Sequence, residues 1–89
     1  MTFVILGYDG PEGQARRKLH RPAHLARVEA LAAQGRLVLA GPLTDGVGSL
    51  IIIEADSRAE AEEFIKNDPY VLQGVFQRYE IHPFQQVLP

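Results

Sequence analysis

Four short segments of the chain are rich in β-branched, aromatic and aliphatic residues, the composition of strands. Two of the three stretches between them are rich in Ala, Leu, Arg and Glu, which favour helix, and the third is a polar turn. The pattern predicts strands at residues 2–8, 36–43, 47–55 and 75–84, with a further short edge strand at residues 85–88.

Pro22 divides the first helical stretch. Because a proline suits the first turn of a helix better than its middle, we expect a short helical piece at residues 13–19 and a main helix at residues 21–34, joined by a kink. Gly35 follows where the C-cap of the main helix falls.

The second helical stretch carries its own start signals. Ser57 and Glu60 have the spacing of a capping box, so the helix is expected to begin there and to run to about residue 67. Asp68 and Pro69 predict a second cap with one further helical turn, which Gly74 ends.

This order of elements, β-α-β-β-α-β, is the ferredoxin-like pattern of an α+β fold, taken as a single domain over residues 1–89. Right-handed crossovers place both helices on one face of a four-stranded antiparallel sheet. The first three strands carry apolar side chains on both faces, so the second face would be an exposed greasy surface. We therefore predict a homodimer through the open face of the sheet; a surface for a ligand or a different partner is the alternative.

Composition narrows the function further. The 89 residues include no cysteine, which excludes disulfides, thiolate metal sites and cysteine nucleophiles. The net charge of −2 argues against nucleic acid as a partner. No apolar run is long enough for a bilayer, and the first residues lack a basic flank, so we expect no membrane association and a cytoplasmic protein.

His24 is the most informative candidate residue. On a helical wheel it lies inside the apolar arc of Leu25, Val28 and Leu31, so it faces the sheet. A histidine in that place can carry protons once a neighbour tunes it, or it can be a half-buried side chain bonded to a backbone carbonyl. Asp9, at the end of the first strand, is the natural partner for the imidazole, although it can also simply serve its Asp-Gly-Pro turn.

Other candidates surround this pair. His20 and His24 have metal-ligand spacing, but Pro22 stands between them and no third ligand is indicated, so no metal is expected. A basic cluster precedes the main helix and is either a solvated face or a means of drawing an anionic substrate towards His24. It consists of Arg16, Arg17, Lys18 and Arg21. Ser49 offers a hydroxyl at the start of the third strand.

Several short motifs occur in a fixed order along the whole chain. They are the opening strand ending in Asp9, Arg21-Pro-Ala-His24-Leu, Gly35-Arg-Leu-Val-Leu-Ala-Gly41-Pro42, Gly48-Ser49, Asp68-Pro69-Tyr70 with Gly74-Val-Phe, and Ile81-His-Pro83-Phe84. In order and spacing the sequence resembles the YCII-related (YciI-like) family of the dimeric α/β-barrel superfamily.

That resemblance implies a ferredoxin-like protomer, a homodimer with facing sheets, and a cleft with a His/Asp pair. By position it gives the histidine role to His24 and the aspartate role first to Asp9, with Asp68 as second choice. Arg21 and Ser49, together with Asp68, match positions that would bind substrate.

Two functions follow from these residues. The first is an enzyme without cofactor that uses His24 and Asp9 for proton-transfer chemistry, of lyase or isomerase type, on a small polar metabolite. The second is a non-catalytic dimer that binds a small metabolite or serves as an accessory module. Strong catalytic motifs are absent, which favours the second function, whereas the resemblance favours the first.

Overall fold

The computed structural model describes residues 1–89 and has the predicted ferredoxin-like α+β fold. The sheet has the strand order β2-β3-β1-β4, and every neighbouring pair is antiparallel. The elements are β1 (Thr2–Asp9), α1 (Gly13–Ala33), β2 (Leu37–Pro42), β3 (Gly48–Glu54), α2 (Arg58–Lys66), the single turn α3 (Pro69–Leu72) and β4 (Phe76–Phe84).

Successive side chains of each strand point to opposite faces of the sheet, and those on one face pack against the helices. In β1, Phe3 and Ile5 are buried, whereas Val4 and Leu6, which alternate with them, are only half-buried. The buried side chains join Leu31 of α1 and residues of α2 and α3 in one core. Each large aliphatic or aromatic side chain buried there contributes about 1.5–3 kcal/mol to folding.

The opposite face of the sheet is aliphatic and carries no helix. Leu6 pairs with Leu50 and Val4 pairs with Ile52 across the β1–β3 ladder, and all four side chains are half-buried. Leu39 of β2 extends the same surface. We call this set the open face: Val4, Leu6, Leu39, Leu50 and Ile52.

The first helix differs from the expectation, since it is not divided at Pro22. α1 runs as one helix of 21 residues with Pro22 inside it. An internal proline costs about 3 kcal/mol, but Pro22 and Lys18, whose carbonyl loses its amide donor, are both exposed, so water can solvate that carbonyl. Burial of His24, Val28 and Leu31 along one side of the helix holds it against the sheet.

Most local signals are confirmed. Ser57 accepts the amide of Glu60 at 3.1 Å, and Gly35 and Gly74 adopt the positive φ angles that end their helices. β4 is an edge strand as predicted, but residues 85–88 form no strand. None of the helices is long and apolar enough to cross a bilayer.

Gly48 is fixed by its closeness to β1. A Cβ atom there would overlap the backbone carbonyl of Gly7, whereas a Cβ at Gly41 would meet no atom. We expect Gly48→Ala to lower the free energy of unfolding by about 1–3 kcal/mol or more, because the backbone must move. Gly41→Ala, the matched control, should stay within about 0.5 kcal/mol. Urea unfolding measures both, and equal losses would contradict this account of the β1–β3 contact.

Candidate functional site

A cavity of about 440 Å³ lies between α1 and the β2–β3 side of the sheet. This is a volume that holds a small metabolite. Its lining residues come from α1, from β2 and β3, and from α3. They are Gln14, Arg17, Lys18, Arg21, His24, Leu25, Val28, Leu37, Ala40, Gly41, Pro42, Ser49, Ile51 and Tyr70.

His24 sits at the inner wall of this cavity, only 7% exposed, as its place in the apolar arc predicted. Its Nδ1 lies 2.7 Å from Oδ2 of Asp68. Its Nε2 has no hydrogen-bond partner in the protein. Because every fully buried side-chain nitrogen and oxygen has a partner, Nε2 is not fully buried and is open to the cavity that His24 lines. With the Nδ1 proton donated to the carboxylate, Nε2 presents its lone pair to whatever occupies the cavity.

Asp68 is wholly buried and is the N-cap of α3. Its Oδ2 also accepts the amide of Tyr70 at 3.0 Å, and its Oδ1 accepts from Nη1 of Arg27 at 2.8 Å. Arg27 lies one turn after His24 on α1, so the same helix supplies both side-chain donors. A buried carboxylate is tolerated when it is paired and hydrogen-bonded in this way.

The predicted contact between His24 and Asp9 is wrong, and Asp68, the second choice, is the partner. Asp9 instead accepts from Nε and Nη2 of Arg17, at 2.7 and 2.8 Å. Because α1 continues through Pro22, His24 lies seven residues beyond Arg17, about 10 Å along the helix axis. Asp9 therefore reaches the first part of the helix and not the imidazole.

Arg17 ties this end of the cavity together. Besides Asp9, its Nη2 donates to Oγ of Ser49 at 2.8 Å, and its guanidinium lies 5.1 Å from the centre of the Tyr70 ring. The hydrogen bond that Arg17 donates to Asp9 raises the pKa of Arg17 above its usual value. The sequence indicated Arg17 only as a member of a basic cluster. Its place in the first turns of the helix that follows β1, eight residues after Asp9, was the signal that could have indicated the pair.

Tyr70 was missed as a site residue, although it stands in the Asp-Pro-Tyr motif. Its ring stacks on the His24 ring, with centroids 3.9 Å apart and planes 7° apart, and meets Phe76 edge-on. Burial raises the pKa of the Tyr70 phenol, while the nearby charges of Arg17 and Arg21 act in the opposite direction. The stack holds the plane of the imidazole and limits its rotation.

Arg21 and Ser49 line the same cavity as His24, whereas Asp68 stands behind the imidazole and is not among the lining residues. Lys18 joins the cationic side. No acidic side chain lines the cavity, and no three His, Asp or Glu residues converge anywhere as metal ligands would. The arrangement can therefore attract an anion and can exchange a proton at Nε2.

Fold and site together define a ferredoxin-like α+β protein with a hydrogen-bonded histidine and aspartate beside a cationic cavity. The chain belongs to the YCII-related domain family, whose sequence profile matches residues 1–85. The resemblance seen in the sequence is thereby confirmed.

Relatives and solved structures agree with this assignment. The chain is 35% identical over 97 residues to the protein YciI of Escherichia coli O6:H1, covering 98% of this chain and 99% of YciI. An uncharacterized protein of Haemophilus influenzae is 33% identical with the same coverage.

Among solved structures, the chain is similar to TftG of Burkholderia phenoliruptrix AC1100, a 5-chloro-2-hydroxyhydroquinone dehydrochlorinase, in complex with 2,5-dihydroxybenzoquinone. The two share 30% identity and a TM-score of 0.85, over 96% of this chain and 94% of TftG. Rv0793 of Mycobacterium tuberculosis, at 14% identity and a TM-score of 0.53, covers 98% of this chain and 97% of its own and shows a shared fold only.

Because the Asp68 carboxylate is buried, we expect even a conservative substitution there to lower the free energy of unfolding strongly. Asp68→Asn keeps the shape of the side chain but replaces an acceptor oxygen by a donor and removes the charge that Arg27 and His24 face. We expect a loss of about 3–5 kcal/mol in the free energy of unfolding. Asp56→Asn, at an exposed aspartate, should change it by less than about 0.5 kcal/mol. Similar losses in chemical denaturation would mean that the Asp68 contacts contribute little.

Proposed function

We propose that this protein is an enzyme without cofactor that performs proton-transfer chemistry, of lyase or isomerase type, on a small polar metabolite. The observation that carries the proposal is the 2.7 Å contact between Nδ1 of His24 and Asp68, with Nε2 left open to the cavity. Asp68 takes the aspartate role that the sequence first gave to Asp9.

In this proposal Nε2 of His24 is the general base. In an elimination it takes a proton from a substrate carbon, and the electron pair of the broken C–H bond forms the new double bond. The leaving group departs with the electrons of its own bond, so no oxidant or reductant is needed. Asp68 holds the tautomer and stabilises the imidazolium that forms.

The cavity would supply what the base alone cannot. A well-placed acid or base contributes about 10²–10⁴ in rate, so the remainder has to come from binding and positioning. Arg21, and Ser49 anchored by Arg17, would bind polar oxygens of the substrate. The cations would also stabilise negative charge that develops as the proton leaves.

The similarity to TftG supports an elimination in particular. That neighbour is a dehydrochlorinase, and its solved complex holds 2,5-dihydroxybenzoquinone, a small hydroxylated ring. A cavity of about 440 Å³ accommodates a ring of this size. Halogenated or hydroxylated rings are therefore the first substrates to test.

The function predicts a specific effect of His24→Gln. Glutamine keeps a donor for Asp68 but has no basic nitrogen, so turnover should fall by about 10²–10⁴ with little change in Tm. His20→Gln, on the same helix but outside the cavity, should keep wild-type turnover. The assay follows absorbance and chloride release from 5-chloro-2-hydroxyhydroquinone and related rings.

Two outcomes would contradict an enzymatic function. One is a His24→Gln variant as active as the wild type. The other is a wild-type protein that binds such rings in the cavity, as seen by NMR, and converts none of them across the panel. The second outcome would favour the non-catalytic function, a dimer that binds a small metabolite.

We also propose a homodimer through the open face. Its centre is aliphatic, and the charges beside it are already neutralised within the chain, since Glu80 binds Arg78 at 2.8 Å and His82 at 3.1 Å. A surface of this kind can meet its own copy across a two-fold axis without opposing like charges. Such a dimer would cover apolar area that a monomer leaves in water.

Ile52→Glu tests the dimer by placing a charge at the centre of the open face. We expect it to shift the mass measured by light scattering from two chains to one, because two buried carboxylates would face each other. Glu29→Lys, on the exposed side of α1, should leave the dimer intact. A wild-type protein that is monomeric at all concentrations would contradict the proposal, and a ligand or another partner would then have to cover the face.

A further inference from the structure

The cavity has two chemically different ends along α1. Its first half presents Arg17, Lys18 and Arg21, and its second half presents Leu25 and Val28. These residues recur at the three- and four-residue spacing that puts side chains on one helix face. His24 lies between the two groups, so the cavity is cationic on one side of the imidazole and apolar on the other.

The sheet wall of the cavity has the same gradient. In the β2–β3 ladder, Ser49 pairs with Pro42 and Ile51 pairs with Ala40. The hydrogen bond from Arg17 to Ser49 places that hydroxyl at the cationic end. Ile51 lies two residues beyond Ser49 on β3, and Leu37 lies at the end of the β2–β3 ladder that is far from Ser49. Helix and sheet therefore agree on which end is polar.

The positive charge at the cationic end is only partly compensated. Asp9 pairs with Arg17, but no carboxylate lies within ion-pair distance of Lys18 or Arg21. No acidic residue lines the cavity, although the chain as a whole carries a net charge of −2. Arg21 and Tyr70 both line the cavity. Burial raises the pKa of the Tyr70 phenol, and the charge of Arg21 acts against that rise. Two unpaired cations in a concave site concentrate anions.

From this geometry we infer that the ligand of the cavity is an amphiphilic oxyanion: a carboxylate or enolate bound by Lys18 and Arg21, joined to an apolar body that packs on Leu25, Val28 and Ile51. Its central atoms then lie beside Nε2 of His24. Arg21 and Val28 are seven residues apart, about 10 Å along the helix, which a single ring with a short acidic arm spans. This inference rests on the proposed function for its site and adds the class of substrate.

Binding of simple probes tests the inference without any turnover. We would titrate the protein with 3-phenylpropionate, with its neutral match 3-phenylpropanol, and with acetate, and follow backbone amides by NMR at low salt. We expect 3-phenylpropionate to bind about tenfold or more tightly than either of the others, with shifts along α1 from Lys18 to Val28. A titration with 2,5-dihydroxybenzoquinone, which ionises to an enolate and has no carboxylate, tests whether the same site binds an enolate.

Variants separate the two ends. Lys18→Gln and Arg21→Gln should each weaken 3-phenylpropionate severalfold and leave the alcohol unchanged. Arg58→Gln removes the same charge from α2, at a residue that does not line the cavity, and should change neither. Leu25→Ala, at a partly exposed residue, should weaken both the acid and the alcohol.

Three results would overturn the inference: equal binding of acid and alcohol, shifts confined to the open face, or an Arg58→Gln effect as large as that of Arg21→Gln. Failure of the proposed function looks different. If His24→Gln and the wild type both select the oxyanion but no ring is ever converted, the ligand class stands and the enzyme does not. If a neutral substrate is turned over without any oxyanion preference, the enzyme stands and the ligand class does not.

Discussion

The buried carboxylate of Asp68 is the group on which the geometry of the site depends. It caps α3, and it accepts hydrogen bonds from His24 and Arg27 of α1, which lie 44 and 41 residues before it, so it joins the two helices. Removing a carboxylate from water costs several kcal/mol, and three donors at 2.7–3.0 Å offset that cost. The same contacts that tolerate the charge also orient the imidazole, so stability and site geometry share one residue.

Composition and local signals were enough to predict the fold, because the strands are rich in β-branched and aliphatic residues and caps such as Ser57 mark where helices begin. The partner of His24 was not predictable in this way. Whether the imidazole contacts Asp9 or Asp68 depends on how far α1 extends and on where α3 approaches it. Neither the length of α1 nor the position of α3 can be predicted from a local sequence pattern. The prediction failed at Pro22, where tertiary packing overrode the local preference for a break and carried His24 away from Asp9.

The basic cluster shows the same limit in another form. The sequence presents Arg17, Lys18 and Arg21 as equivalent cations, but the fold gives them different partners. Arg17 is bound by Asp9 and Ser49 and stacks near Tyr70, so it organises the wall of the cavity. Lys18 and Arg21 line the cavity and have no carboxylate partner within the chain. Composition records the number of charges, and only the three-dimensional pairing shows which of them are free.

β3 connects the cavity with the open face, because its side chains alternate between them. Ser49 and Ile51 point towards α1 and line the cavity, whereas Leu50 and Ile52 point to the open face. A slip of one residue in the pairing with β1 would exchange the two sets, and would place the aliphatic residues in the cavity and the hydroxyl outside. Gly48, whose missing Cβ lets the strand start close against Gly7, helps fix that register. The register of β3 against β1 thus determines both which side chains line the cavity and which form the open face.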